Sequence, residues 1–159
     1  MWIVVIHINY WISERFSLME MSKIGDMKVG MSHTKMHNIS REMILTFGSL
    51  TKDRNPLHRD DDFSSKTQFG QINAQGMLLA SHIIGLIGSS LPGPGWMCLG
   101  VDSTFNNPVF PDENVQVTVT VKKIIVALGV VVLEGEMINS DGIVVCRAQI
   151  KVKQLEDRV

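Results

Sequence analysis

Two side chains that can pass a proton between them stand five positions apart in TKDRNPLHRDDDF, residues 51–63: the carboxylate of Asp53 and the imidazole of His58. Histidine is the side chain whose ordinary pKa lies closest to neutrality. A neighbouring carboxylate can fix its tautomer and raise its basicity, so the two residue types make an acid/base couple. Regular structure would keep them apart. Five residues along an α-helix rotate the side chain by about 500°, leaving the two about 140° apart, and an odd spacing in a strand sends them to opposite faces. An irregular turn is required, and Asn55-Pro56 supplies one. Proline locks its own φ, lacks an N–H and drives the preceding residue out of the helical region, while an asparagine side chain can tie a turn to its own backbone. Turn chemistry by itself also accounts for Asp53, Asn55 and Pro56, so these residues alone leave both an acid/base pair and a plain helix-stopping turn open.

A second feature is Gly76, which opens GMLLASHIIGLIGSSL, residues 76–91. The first N–H groups of a helix have no intrahelical partner and carry the positive end of the helix dipole. A glycine there lets a ligand carbonyl come close to the backbone. Were the ligand a thioester, negative charge building on its oxygen would be held by that N–H. A glycine that only packs a helix against a sheet would look the same.

The elements around these residues follow from periodicity. KVGMSHTKMHNI, from residue 28, reads as an extended segment with Gly30 early in it. Ser40 is an N-cap for a short amphipathic helix carrying Met43, Ile44, Phe47 and Leu50, which must stop at the Asp53–His58 turn. The polar stretch RDDDFSSKTQFGQINAQ predicts an ordered loop with one helical turn. Residues 76–91, apolar nearly all round and ended by PGPG, predict a buried helix. Strand-like runs follow: WMCLGVDSTF, NVQVTVTVKKIIV with Val115, Val117, Val119 and Val121 alternating with polar residues, LGVVVLEGEMI and GIVVCRAQIKVKQ. Ala127-Leu128-Gly129 and Asn139-Ser140-Asp141-Gly142 predict hairpin turns. Helices first and strands afterwards indicate an α+β domain with an antiparallel sheet wrapped around one helix. The sheet edge left over needs cover, which predicts a homodimer.

Composition narrows the function classes. At 159 residues the chain has the size of one domain, and a formal charge of −1 with scattered Lys and Arg leaves no basic field for nucleic acid. Cys98 and Cys146 have no partner at metal-ligand spacing, which fits a reducing, cytoplasmic compartment, and both read as buried small apolar residues. The opening MWIVVIHINYWISERFSL has no positive charge before its apolar run and no small-residue cleavage site, and it is too short to cross a bilayer. Residues 1–26 are therefore read as an N-terminal extension that need not belong to the fold, an added strand or partner-binding arm being the alternative. Asp60, Asp61 and Asp62 are consecutive and read as a solvated loop, not a metal site. His82 reads as a paired core or interface histidine, the ten methionines fit an adaptable pocket or simple gap filling alike, and Ser81 and Ser103 lack the surroundings of a nucleophile.

In order and spacing, DRNPLHRDDDF, FG, the Gly-Met-Leu-Leu-Ala-Ser helix start, LPGPG and FNNPVF before an alternating strand resemble the MaoC-like (R)-specific enoyl-CoA hydratases and related hydroxyacyl-thioester dehydratases. The resemblance covers about residues 28–153, and D-x-N-P-L-H at 53–58 is its most specific part. It implies a hotdog fold over residues 27–159, an antiparallel sheet around a long central helix. The implied activity is reversible syn addition of water to a trans-2-enoyl thioester, giving the (R)-3-hydroxyacyl product. By that resemblance Asp53 and His58 activate the water and return a proton to C2, and the Gly76 N–H holds the thioester oxygen. Asn55, Gln75 and Met77 border the substrate. No cofactor or metal is implied, and the acyl carrier, CoA or acyl carrier protein, is part of the substrate. Relatives usually read Ile-Val-His-Gly before the helix, where this chain has Asn73-Ala74-Gln75-Gly76; Asp112-Glu113 stands in place of a Gly-Asp turn. Gln75 can donate and accept hydrogen bonds but cannot change charge. That departure keeps a non-catalytic acyl-thioester-binding subunit as the alternative, ahead of a hotdog thioesterase, which has no reason to keep the Asn-Pro turn.

Overall fold

The computed structural model describes residues 22–156. The first strand, β1 (Ser32–Ile39), leads into α1 (Arg41–Thr51). A 3-10 turn at Pro56–His58 and a single turn α2 (Asp61–Ser64) follow, then α3 (Gly76–Ser89) and four strands, β2 (Trp96–Phe105), β3 (Glu113–Ile125), β4 (Val130–Asn139) and β5 (Val144–Gln154). All pairings are antiparallel, in the order β1-β3-β4-β5-β2. The sheet is the α+β hotdog arrangement expected from the sequence, with α3 packed against β2, β3, β4 and β5.

Alternation in β3 works as the pattern demands. Val115, Val117, Val119 and Val121 are fully buried, and the residues between them face outward. Against them lie Leu79, Ile83, Leu86 and Ile87 of α3, each such side chain stabilising the fold by about 1.5–3 kcal/mol through its burial. Close contact is bought by Gly135 on β4: a Cβ there would lie 2.3 Å from Cγ2 of Ile83. The turns are also as predicted. Asn139 closes the β4–β5 hairpin by accepting from the N–H groups of Asp141 and Ile143, with Gly142 at φ 76°. Gly129, at φ 62°, ends the β3–β4 connection.

Three expectations need correction. First, α3 is not buried all round: Met77 is 59% exposed, and Ser81, Gly85 and Gly88 share its open side. The small residues that made it look uniformly apolar are those on the outer face. Second, of the four α1 residues singled out by their spacing only Ile44 is fully buried; Phe47 packs partly on the core, while Met43 and Leu50, like the neighbouring Leu45, are exposed. Third, Cys98 is exposed while Cys146 is buried, because β2 is an edge strand whose register shifts between Cys98 and Gly100. Burial in an apolar setting pushes the Cys146 thiol up to about 11.

At the N-terminal end, the Trp96 indole donates to Ser22 O and the Ile24 N–H donates to Gln154 Oε1, so Ser22–Asp26 is tied to the sheet ahead of the core residue Met27. The rest of the predicted extension, residues 1–21, lies outside the described residues.

Candidate active site

The site is made where α1 stops. Ser40 caps the start of that helix by accepting from Met43 N–H at 3.2 Å, and Lys52 ends it in the left-handed region at φ 58°. That reversal throws Asp53 out of the helix. One carboxylate oxygen of Asp53 accepts from Asn55 N–H at 2.9 Å, and Asn55 Oδ1 in turn accepts from Leu57 N–H at 3.1 Å. Pro56 sits in the first turn of the 3-10 segment that carries His58. Two Asx bonds in succession, with the proline, form the irregular corner that regular structure cannot supply. Ser64, fully buried, braces it from α2 by donating to Leu57 O at 3.2 Å.

His58 Nδ1 lies 2.8 Å from Asn73 O. A carbonyl only accepts, so Nδ1 carries the hydrogen and, in the neutral ring, Nε2 presents a lone pair. The ion pairs among the described residues are Arg41–Asp61, Lys122–Glu134 and Arg147–Glu136. Neither Asp53 nor His58 is spent on one. Both line a cavity of about 370 Å³ together with Gln75, Gly76, Met77 and Phe105, closed on the α1 side by Phe47 and Thr51. Gln75 precedes the first turn of α3 without capping it with its side chain. Its carbonyl accepts from the Leu78 and Leu79 N–H groups, while Gly76 and Met77, which open the helix and so have no earlier helical carbonyl to bond, border that end of the cavity.

Of the residues singled out from the sequence, Asp53, His58, Gly76, Gln75 and Met77 meet at this cavity. Asn55 does not line it; its side chain is occupied by the turn. His82 lies elsewhere, its ring 4.8 Å from that of His37 beside a larger groove of about 700 Å³ between α1, α3 and β1. Sequence reasoning missed Phe47, Thr51 and Phe105 as walls, and Ser64 and the Asn73 carbonyl as supports. The apolar spacing of α1 singled out Phe47 only as a core residue. A main-chain carbonyl leaves no mark on residue type, which is why the Asn73 departure costs the histidine nothing.

Comparison with known proteins bears on the family and the fold. Residues 25–139 match the model of the MaoC like domain. Over 123 residues the chain is 36% identical to a (R)-specific enoyl-CoA hydratase of Rhodospirillum rubrum, covering 70% of this chain and 85% of that protein. Over 100 residues it is 34% identical to a 3-hydroxybutyryl-CoA dehydratase of Methylorubrum extorquens, covering 63% of this chain but only 64% of that protein's length. Among solved structures, an (R)-hydratase from A. caviae involved in PHA biosynthesis superposes with a TM-score of 0.78 at 30% identity, over 81% of this chain and 98% of the other. A corner built on D-x-N-P-L-H, a glycine-led central helix and a sheet of this order, joined by a family match across most of the chain, lead to one conclusion: the chain belongs to the MaoC-like family.

Proposed function

We propose that the chain catalyses the reversible hydration of trans-2-enoyl thioesters to (R)-3-hydroxyacyl thioesters, as a hydro-lyase without metal or redox cofactor. The observation that carries this reading is the convergence of Asp53, His58 and the Gly76 end of α3 on one cavity. Its support from relatives is their naming as hydratases and a dehydratase. With its hydrogen on Nδ1, His58 is oriented to take a proton at Nε2 from a water that Asp53 also holds. As the water oxygen bonds to C3, the π electrons move towards the thioester carbonyl, whose oxygen gains negative charge. The Gly76 N–H, at the positive end of α3, is placed to stabilise that oxygen. The couple then returns a proton to C2. Because the two groups share the proton, base and acid are roles of the pair and not of either residue.

The substrate is read as a short or medium acyl thioester of CoA or of acyl carrier protein, placing the enzyme in fatty-acid metabolism. Asn55 serves by holding the turn, and Gln75 and Met77 border the substrate. The catalytic domain is taken as residues 27–159. Two unpaired cysteines support a cytoplasmic location, and no described helix is long and apolar enough to cross a membrane. The molecule is read as a homodimer, since β2 leaves its outer edge unpaired among the described residues and exposes Met97, Leu99, Val101 and Phe105.

Incubation with crotonyl-CoA tests the reading: loss of enoyl absorbance is the expected result. Asp53→Asn and His58→Ala should each lower kcat/KM by about 100-fold or more, the usual worth of a positioned acid/base group. Release of free thiol would instead identify a thioesterase, and no reaction an acyl-thioester-binding subunit. Hydration unchanged in both variants ends the proposal.

A further inference from the structure

Gln75 carries a buried acceptor that no described residue satisfies. The residue is 6% exposed. Its Nε2 donates to Ile44 O at 3.1 Å, and because that carbonyl only accepts, the bond fixes which end of the amide is which. The other end, Oε1, is buried with no hydrogen-bond partner among the described residues. Buried polar atoms in native proteins are almost always paired, by protein or by a bound molecule, so an orphan in a residue that borders a cavity points to a ligand that donates to it. Space has been left for this amide: Gly48 of α1 is buried, and a Cβ there would meet Gln75 Nε2 at 3.2 Å.

Three residues with an acceptor to offer then border one cavity: Asp53 with its carboxylate, His58 with Nε2 and Gln75 with its unpartnered Oε1. What belongs among them is a donor with more than one O–H, which is water. Building on the hydratase reading, we propose that Gln75 Oε1 accepts the hydrogen that stays on the water added to C3, making Gln75 the third residue that positions that water. The electron count shows why an amide suits the place. The water oxygen forms its bond to C3, one O–H bond breaks, and that proton goes to the His58–Asp53 couple. The π pair moves towards the carbonyl, and the couple's proton ends on C2. The second O–H never breaks. It needs an acceptor too weakly basic to take the proton and compete with the productive transfer, and an amide oxygen is one.

The test combines a structure with kinetics. A crystal structure of the full chain at a resolution that defines waters should hold one within hydrogen-bond distance of Gln75 Oε1 and of either His58 Nε2 or Asp53. Gln75→Met, matched in length but with neither donor nor acceptor, should lower kcat for crotonyl-CoA hydration by about 10- to 100-fold with KM within about twofold and the pH profile unchanged in shape. Gln75→His, which restores a donor for Ile44 O and an acceptor for water, should recover most of the loss. The proposal is overturned by a wild-type structure in which no water joins Gln75 to the couple. A folded Gln75→Met enzyme with unchanged kcat, or with the whole loss in KM, overturns it as well. If Gln75→Met does not fold, the wild-type water and the Gln75→His enzyme decide. A wild-type chain that holds the water yet hydrates nothing would sink the hydratase reading and leave the water site standing.

Discussion

A Cβ on Gly76 would lie 2.5 Å from Cδ2 and 2.7 Å from Cγ of the Phe105 ring, inside any real contact. Because Cγ is fixed close to the backbone, the ring cannot simply swing its tip away. Gly76→Ala should therefore destabilise the protein by about 1–3 kcal/mol, the usual cost of overpacking, seen as a lower urea midpoint. Adding Phe105→Ala should recover stability but not turnover of crotonyl-CoA, because the new methyl still stands where the thioester oxygen must approach the N–H. Recovery of both would show that Gly76 serves packing alone. At this scale the sequence was informative about residue types with unusual chemistry, Asp53, His58 and Gly76. It said nothing of Asn73, which acts through a carbonyl, or of Ser64, whose buried hydroxyl is indistinguishable in the sequence from its exposed neighbour Ser65.

At the level of elements, α3 is held against the sheet where β4 lacks a side chain. Gly135→Ala should push Ile83 off its seat and cost about 1–3 kcal/mol, and shortening Ile83 to alanine in the same protein should make the glycine substitution nearly neutral. Equal losses with and without the Ile83 change would place the strain elsewhere. Cap, turn and alternation signals located α1, α3 and the four C-terminal strands because each is a local preference repeated over several residues. Which face of α3 meets the sheet was not legible: its apolar and small residues form no sharp stripe, and only the glycine on a strand 52 positions away selects Ile83 for contact.

Over the whole molecule, two histidines join elements far apart in sequence. His37 of β1 and His82 of α3 meet edge to face, with Lys35 of β1 and Glu42 of α1 also on the groove they border. Burial lowers both below the ordinary 6.5, and the charge of Lys35 on His37, and of His37 on His82, adds to it. A lowered histidine binds fewer protons folded than unfolded, so this contribution is whole above about pH 6.5 and is lost as pH falls from there through the folded-state values. The melting temperature should fall between about pH 7.5 and pH 5.5, and His37→Gln with His82→Gln should flatten that slope. An unchanged slope would assign the acid sensitivity to other groups. The exposed β2 edge makes a second prediction at this scale. Val101→Lys, placed on that edge, should convert the proposed dimer to a monomer in light scattering; a dimer that persists would mean that the subunits meet elsewhere.

The residues alone determined that a carboxylate and an imidazole flank a proline-bent turn, that a glycine opens an apolar helix and that antiparallel strands follow. These are short-range matters, set by φ restriction, side-chain capping and period. The tertiary structure decided that the turn and the helix start share one cavity, that His58 takes its tautomer from Asn73 O, and that Gln75, which borders the same cavity, is left with a buried oxygen that no described residue pairs. Those depend on where three elements distant in the chain come to rest, which packing settles and spacing does not.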